Sequence, residues 1–458
     1  MFRALQSIFL WSYVIQNVIL NASDTIYQQH LKKVLDLIMG ILQLLCSEGY
    51  CYYLDYMRIA FFPTTNRPNE FTPHFNSKIA DLSDIGAVTA RDMTGLSVSQ
   101  LQKLYIHLRI PDVLRYQRRH RFTGEECFLH YLLFNRIGET KLRMSSNYFG
   151  GDPRRFTYSI RIMNEYLYNT FYHKITGDSM RMWLPQIDDF RLAIWLKLNE
   201  GYSVEERYNP IDMSQNWRTL VLLSIPFDAF RIFGFLDDTG FRTTAPGITS
   251  RRVYGFFDDA QRSFYSAYFA GHGLKVQTLT LPNGMIGSVY IGAWRVSDAG
   301  LLNMSGLDTY LVTLFNEYNI RLPAALNQYP AVYGDGIFPQ LATIVARYGL
   351  SNENEARVNR RLASVRQSIE HIFGFHSNTF ELFNIPNRFK LLVHGVDCQR
   401  MVVNSFFLLN CFICFNESPN NFDIRPPTIE GYLPLDEVIV PAPMITDGHL
   451  GEVYNYHV

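Results

Sequence analysis

Three acidic residues stand where a fold could bring their carboxylates to one place. Asp237 follows the apolar run at 232–236 in RIFGFLDDTG, and Asp335 follows a short apolar run in AVYGDGIFP. Glu370 lies in a segment of helical periodicity, RLASVRQSIEHIFGF. Three neighbouring carboxylates repel one another unless divalent cations fill the gap, and hard oxygen donors favour Mg²⁺ or Mn²⁺. Two such ions, about 3.5–4 Å apart, can activate a water and stabilise the leaving oxygen in phosphodiester cleavage. The plainer reading of the same residues is two turn aspartates and one surface acid on a helix. Spacing alone does not choose between them.

Two other chemistries fit less well. Asp238-Thr239-Gly240 spells the tripeptide of an aspartic protease, but such an enzyme needs two carboxylates sharing a proton, and the tripeptide occurs once. Met285-Ile286-Gly287 imitates that enzyme's supporting segment only by a short and common pattern. Asp237 is also a poor neighbour for a carboxylate pair already under repulsion. Cys411-Phe412-Ile413-Cys414 has a metal-like spacing, yet it lies in an apolar helical run with no second ligand pair nearby, which reads as core packing.

The elements that must position the acids follow from pattern. The run ending at Leu236 reads as a buried strand, with Asp237 emerging from its end. Pro282-Asn283-Gly284 joins two strand-like runs as a hairpin. Residues 353–375 read as a helix with Val358, Leu362, Val365, Ile369 and Ile372 on one face. Glu370 flanks that stripe, with Arg366 one turn earlier to orient or neutralise it. Strand, hairpin, strand and helix, with acids at strand ends, are compatible with an α/β domain of the RNase H type, a mixed sheet flanked by helices.

Upstream, residues 97–175 read as helical and basic, with thirteen Lys/Arg against six Asp/Glu between Lys103 and Lys174. Asp152 is a good N-cap and Pro153 suits the first helical position. Helix, short helix, Gly150-Gly151 and longer helix form the order of a helix-turn-helix unit. Arg154 and Arg155 would then face DNA from the second helix, with Arg118, Arg119 and Arg121 as a further basic patch. A solvated helical face with incidental arginines is the alternative.

The 458 residues suffice for several domains, and an aromatic content of 15% argues against disorder over most of the length. Lys+Arg and Asp+Glu balance at 42 each, so only local clustering can make a polyanion-binding surface. Six scattered cysteines suit a reducing compartment. The expected division is 1–62, an N-terminal helical segment of packed or oligomerising helices; 63–96, a linker; 97–215, the all-helical helix-turn-helix region; 216–416, the nuclease core; and 417–458, an acidic Pro-rich tail. Residues 4–20 resemble a targeting segment but are too short and polar for a membrane span.

From roughly residue 97 to 416 the chain resembles PIF/Harbinger-type transposases, a branch of the DDE endonuclease superfamily that includes Harbinger-derived nucleases. The resemblance is carried in order by FLDDTGFRT, by HGLKVQTLTLPNGMIGSVYIGAWRVSDAGLLNMSGL, by VYGDGIFP, by RLASVRQSIEHIFGFHSNTF and by VVNSFFLLNCFICF. It implies a metal-dependent DNA endonuclease/transposase with Asp237, Asp335 and Glu370 as catalytic acids and ligands to two Mg²⁺ or Mn²⁺ ions. Asp298 matches a further, accessory aspartate; Asp238 takes a variable position beside the catalytic acid, and Arg366 is a third accessory residue. DNA as substrate, a homo-oligomer, a Myb-like accessory protein and a nuclear location are implied as well. Gly240 and the Leu409-Asn410 pair depart from the family pattern, so a domesticated protein that binds DNA or a partner without cutting is the alternative. Neighbours on a strand face opposite ways, so only one of Asp237 and Asp238 can join the other two acids.

Overall fold

Capping chemistry starts the helical layer. Helix α1 (Ala87–Thr94) is followed by α2 (Val98–His107), which opens in a capping box formed by Ser97 and Gln100. In this computed structural model the described residues are 82, 85–116, 120–149, 152–198, 230–245, 262, 264–322, 328–347, 353–385, 392–393, 396–416, 422 and 424–437. They belong to one compact unit, His74–Val458. The expected N-terminal helices, Arg118, Arg119 and the last part of the tail lie outside the described residues. The stretch assigned as linker ends in α1, so it is partly helical.

The next region is not all helical. Strands β1 (Val113–Tyr116) and β2 (His120–Thr123) form an antiparallel ribbon, with Arg115 opposite Arg121. Thr123 then caps α3 (Gly124–Ile137) through Glu126 N–H. Lys141–Met144 and Ser145–Phe149 make a short helical link to α4 (Pro153–Phe171), which starts as expected at Asp152 and Pro153. Gly150 and Gly151, the expected turn, lie outside the described residues, and α4 is a core element along most of its length. Phe156, Ile160, Met163 and Leu167 are all buried. Helix α5 (Ile187–Leu198) completes this layer.

Strand β3 (Ile232–Thr243) is longer than the apolar run suggested and carries both aspartates within it. After β4 (Tyr265–Ser266) come β5 (Gly271–Thr280) and β6 (Ile286–Ala293), joined by the expected hairpin. Its turn is closed by Leu281 N–H to Met285 O at 2.9 Å, with Gly284 at φ 83, a left-handed conformation suited to glycine. Helices α6 (Asp298–Ser305) and α7 (Leu307–Glu317) lead to β7 (Ala331–Tyr333) and β8 (Ile344–Val345). Helix α8 (Glu353–Thr379) covers one face, and α9 (Cys398–Ile413) lies in the core beside it.

The sheet runs β6-β5-β3-β7-β8, with β4 pairing the start of β5. The β3, β5 and β6 strands form an antiparallel meander, whereas β7 is parallel to β3 and β8 parallel to β7. Links through α9 help to bind the helical layer to the sheet. Asn404 of α9 donates to Asn164 O and Oδ1, each at 2.9 Å, and Phe171 stacks on Phe407 at 4.8 Å. Asn410, fully buried, accepts from Ile286 N–H at 2.8 Å and donates to Ile286 O at 2.9 Å. Its side chain therefore supplies the backbone partner that a neighbouring strand would give to β6. Cys411 is buried on the same helix, and burial pushes its thiol well above the ordinary value, as core packing requires.

The tail is docked in its described part. Tyr432 is fully buried, stacks with Trp183 and meets Phe407, and its hydroxyl accepts from Asn410 Nδ2 at 3.1 Å. Lys174 pairs with Glu437 at 2.7 Å, and Arg109 Nη1 donates to Glu437 O at 2.6 Å.

One buried titratable group tests this packing. His376 is enclosed by Phe241, Phe383 and Phe406, with Nε2 at 2.8 Å from Ser405 Oγ. Burial pushes its pKa down to about 3, so the folded state holds it neutral. An unfolded imidazole titrates near about 6.5, so this contribution is complete above that pH and is lost as pH falls toward 3. The unfolding temperature is expected to drop from pH 7 to pH 5, with a shallower drop in His376→Gln. Equal slopes in a thermal melt series would contradict the assignment.

Candidate active site

Strand register brings two of the three acids together. On one edge β3 pairs with β5 beyond the aspartates, with Asp237 opposite Thr278 and Asp238 opposite Gln277. On its other edge the pairing with β7 stops at Phe235 opposite Tyr333. Asp237 and Asp335 each come two residues after that last pair, Asp237 within β3 and Asp335 beyond the end of β7. The charge of Asp335 is felt at Asp237, where it raises the pKa.

Helix α8 lies on the same side. Arg366 Nη1 pairs with Asp237 Oδ2 at 2.8 Å, with both side chains about one-fifth exposed (21% and 18%). The other carboxylate oxygen of Asp237 accepts from Asp238 N–H at 2.9 Å. Burial raises the Asp237 pKa and Arg366 opposes the rise, leaving it at about 6. Asp335 sits in a turn whose Ile337 N–H donates to its Oδ1 at 2.9 Å. Glu370 falls on α8 one turn after Arg366, and its side chain lies outside the described residues.

Asp238 occupies the opposite face. Gln277 Nε2 donates to its Oδ1 at 3.3 Å, and Gln277 in turn accepts from Ser305 Oγ at 3.0 Å. Asp298, at the start of α6, pairs with Lys275 on this face. The accessory aspartates thus form a second network across the sheet from Asp237. Burial, then the charge of Asp298, pushes the Asp238 pKa up to about 8. Its Oδ2 is buried without a hydrogen-bond partner, which suits a protonated acid.

Gly240 lies on that face too. A Cβ there would meet Trp294 Nε1 at 2.4 Å, and one at Gly273 would meet Trp294 Cε3 at 2.1 Å. The absence of a side chain at Gly240 is therefore explained by the indole that covers the strand. It is a packing requirement on the face away from Asp237.

The basic residues divide sharply. Arg155 is committed to Glu126 by two hydrogen bonds, at 2.9 and 2.7 Å, and lies 4.3 Å over the Phe122 ring. Arg154 is exposed at the open end of α4. Arg121 is exposed on β2, opposite the equally exposed Arg115. The sequence hides the Arg115–Arg121 pairing because the surrounding block is basic and helical in pattern. A two-strand reading of VLRY and HRFT would have exposed it.

A divalent ion is compatible with this donor set. Asp237 and Asp335 are hard carboxylate donors at matching positions past the last β3–β7 pair, and Asp237 already holds a cationic group. Among the described residues no three His, Cys, Asp or Glu side chains form a metal-binding group.

Asp238 offers a pH test of the two-faced arrangement. Its pKa is raised above the ordinary carboxylate value of 3.8, so folding favours the protonated form. Stability from this group is complete below about 4 and is lost as pH rises toward 8. Asp238→Asn, which mimics the neutral acid, is expected to raise the unfolding temperature at pH 8.5 and to change it little at pH 4. A variant destabilised at pH 8.5 would overturn the assignment.

Residues 238–410 match the family model described as DDE superfamily endonuclease, a stretch that covers well under half of the chain. No curated protein and no solved structure matches. The match begins one residue after Asp237 and contains both Asp335 and Glu370. This α/β sheet and its helices are thus similar, over residues 238–410, to a DDE superfamily endonuclease domain, and the likeness suggests nuclease activity.

Proposed function

We propose that the protein is a metal-dependent DNA endonuclease/transposase with an RNase H-like core, of the PIF/Harbinger type. The observation that carries the reading is the matching position of Asp237 and Asp335, each two residues past the last pair of the parallel strands β3 and β7, with Asp237 held by the helix that bears Glu370. A meander of three antiparallel strands continued by two parallel ones supports the RNase H-like assignment. Asp237, Asp335 and Glu370 would hold Mg²⁺ or Mn²⁺, which supplies charge neutralisation for attack on a phosphodiester. The chain's own part is to keep Asp237 in a partly water-excluded place where such charges act strongly, and to fix Asp335 by its turn. On the same likeness DNA is the substrate, the location is nuclear, and a second copy of the chain and a Myb-like protein are the expected partners.

Nicking of labelled duplex by the full chain in Mn²⁺ or Mg²⁺ tests the reading. Asp335→Asn is expected to lower the rate by at least about 100-fold, as loss of a group acting on developing charge does. Equal cleavage by both proteins would sink the role of Asp335. Retained binding with no cleavage by either would favour the domesticated, binding-only reading.

The DNA-binding part of the proposal places the duplex against Arg121 and Arg154, with Arg118 and Arg119 between the strands of the ribbon in sequence and Arg155 buttressing through Glu126. Like charges directly across an antiparallel pair destabilise it, so Arg115 opposite Arg121 is costly unless a polyanion compensates. Arg121→Glu is expected to stabilise the ribbon by up to about 1 kcal/mol. The same change is expected to weaken duplex binding and lower its salt slope by about 1 to 2. Unaltered salt dependence in fluorescence anisotropy would remove this face from the interface.

A further inference from the structure

We infer that Arg366 is the counter-charge of the metal-free site and must leave Asp237 before a divalent ion is held there. The inference rests on the proposed metal-dependent reading and adds a residue that controls loading. Asp237 and Asp335 follow the last β3–β7 pair by the same interval, and the partly buried charge of Asp237 is met by the guanidinium of Arg366 at 2.8 Å. Both oxygens of Asp237 are engaged, Oδ1 by Asp238 N–H and Oδ2 by Arg366. A guanidinium does not lose its proton in a protein, so it cannot make room by becoming neutral. It can only move.

Helix α8 makes the competition local. Arg366 and Glu370 are four residues apart, hence on one side of the helix and one turn along it. The helix that would supply the third carboxylate also supplies the charge that occupies the first. Burial raises the phenol pKa of Tyr333, and Arg366 and Arg347 both oppose that rise, which puts the Arg366 guanidinium near the end of β7. An entering ion therefore displaces one arginine contact, and its apparent affinity is reduced by that exchange. Arg366 is a positioning residue in this scheme, acting on Asp237.

Mn²⁺ binding to the full chain, followed by the electron paramagnetic resonance of the free ion without DNA, tests the inference apart from activity. Arg366→Gln is expected to bind Mn²⁺ about 5- to 10-fold more tightly than the unaltered chain. Arg347→Gln, which removes a nearby cation not in contact with Asp237, is expected to change affinity less than about 2-fold. Arg366→Met, which keeps the apolar stem in place, gives the same measurement should the glutamine variant fail to fold. Unchanged or weaker binding in a folded Arg366 variant would overturn the inference, as would an equal gain in Arg347→Gln. Asp237→Asn separates this from failure of the underlying reading. If it binds Mn²⁺ as well as the unaltered chain, the proposed metal site itself is wrong. If it loses Mn²⁺ while Arg366→Gln gains nothing, only the counter-charge role falls.

Discussion

Unequal pairing on the two edges of β3 is the constraint from which the candidate site follows. Its antiparallel partner, β5, stays hydrogen-bonded to it as far as Thr243, while its parallel partner ends at Tyr333. Beyond that point one edge of β3 is held, and the other has no strand partner among the described residues. The strand also lies where the topology changes sense, with the meander on one side and the crossover strands on the other. In open α/β sheets, a crevice at the carboxyl ends beside such a change of order is where ligands bind. Asp237 and Asp335 stand at that change of order, each following the last β3–β7 pair by the same interval.

The alternation of side chains along β3 then separates two kinds of acid. Asp237 meets Arg366 on the α8 side; Asp238 meets Gln277 and the field of Asp298 on the other. A carboxylate compensated by a guanidinium can remain ionised in partial burial, whereas one with a buried unpartnered oxygen favours its proton. Adjacent residues of identical chemistry thus acquire different electrostatic character from register alone. Trp294 reinforces the division by covering Gly240 and Gly273 on the Asp238 side.

Local chemistry made much of this legible in the sequence. Asp152 and Pro153 marked the start of α4, Pro282-Asn283-Gly284 marked the hairpin, and the spacing of Leu362, Val365 and Ile372 marked α8. The strand before Asp335 was readable for the same reason. What depended on distant partners was not. Nothing near Asp237 says that β3 continues, because the continuation is held by β5 across a long connection. The ribbon at β1 and β2 was obscured by its arginines and by apolar residues at helical intervals downstream. Helix α4 had the order of a DNA-reading helix, but Asn404 and Phe407 of α9 claim much of its surface for the core. Of the candidate site, the identities of the acids were readable, while the partner of Arg366 required the fold.

The buried ring of Tyr432 has a temporal consequence. It fills a place between Trp183 and Phe407, elements separated by more than two hundred residues, and it comes after all of the sheet in chain order. During synthesis the core must wait for this plug. At about 5–20 residues per second, hundreds of residues take tens of seconds to emerge. Phe407, one wall of the seat, precedes Tyr432 by only 25 residues, so the completed seat is uncovered for about the last 1–5 seconds of that interval. The segment that looked like an appendage thus works as the closing step of assembly, and a chain broken before it would carry a ready surface for chaperone capture.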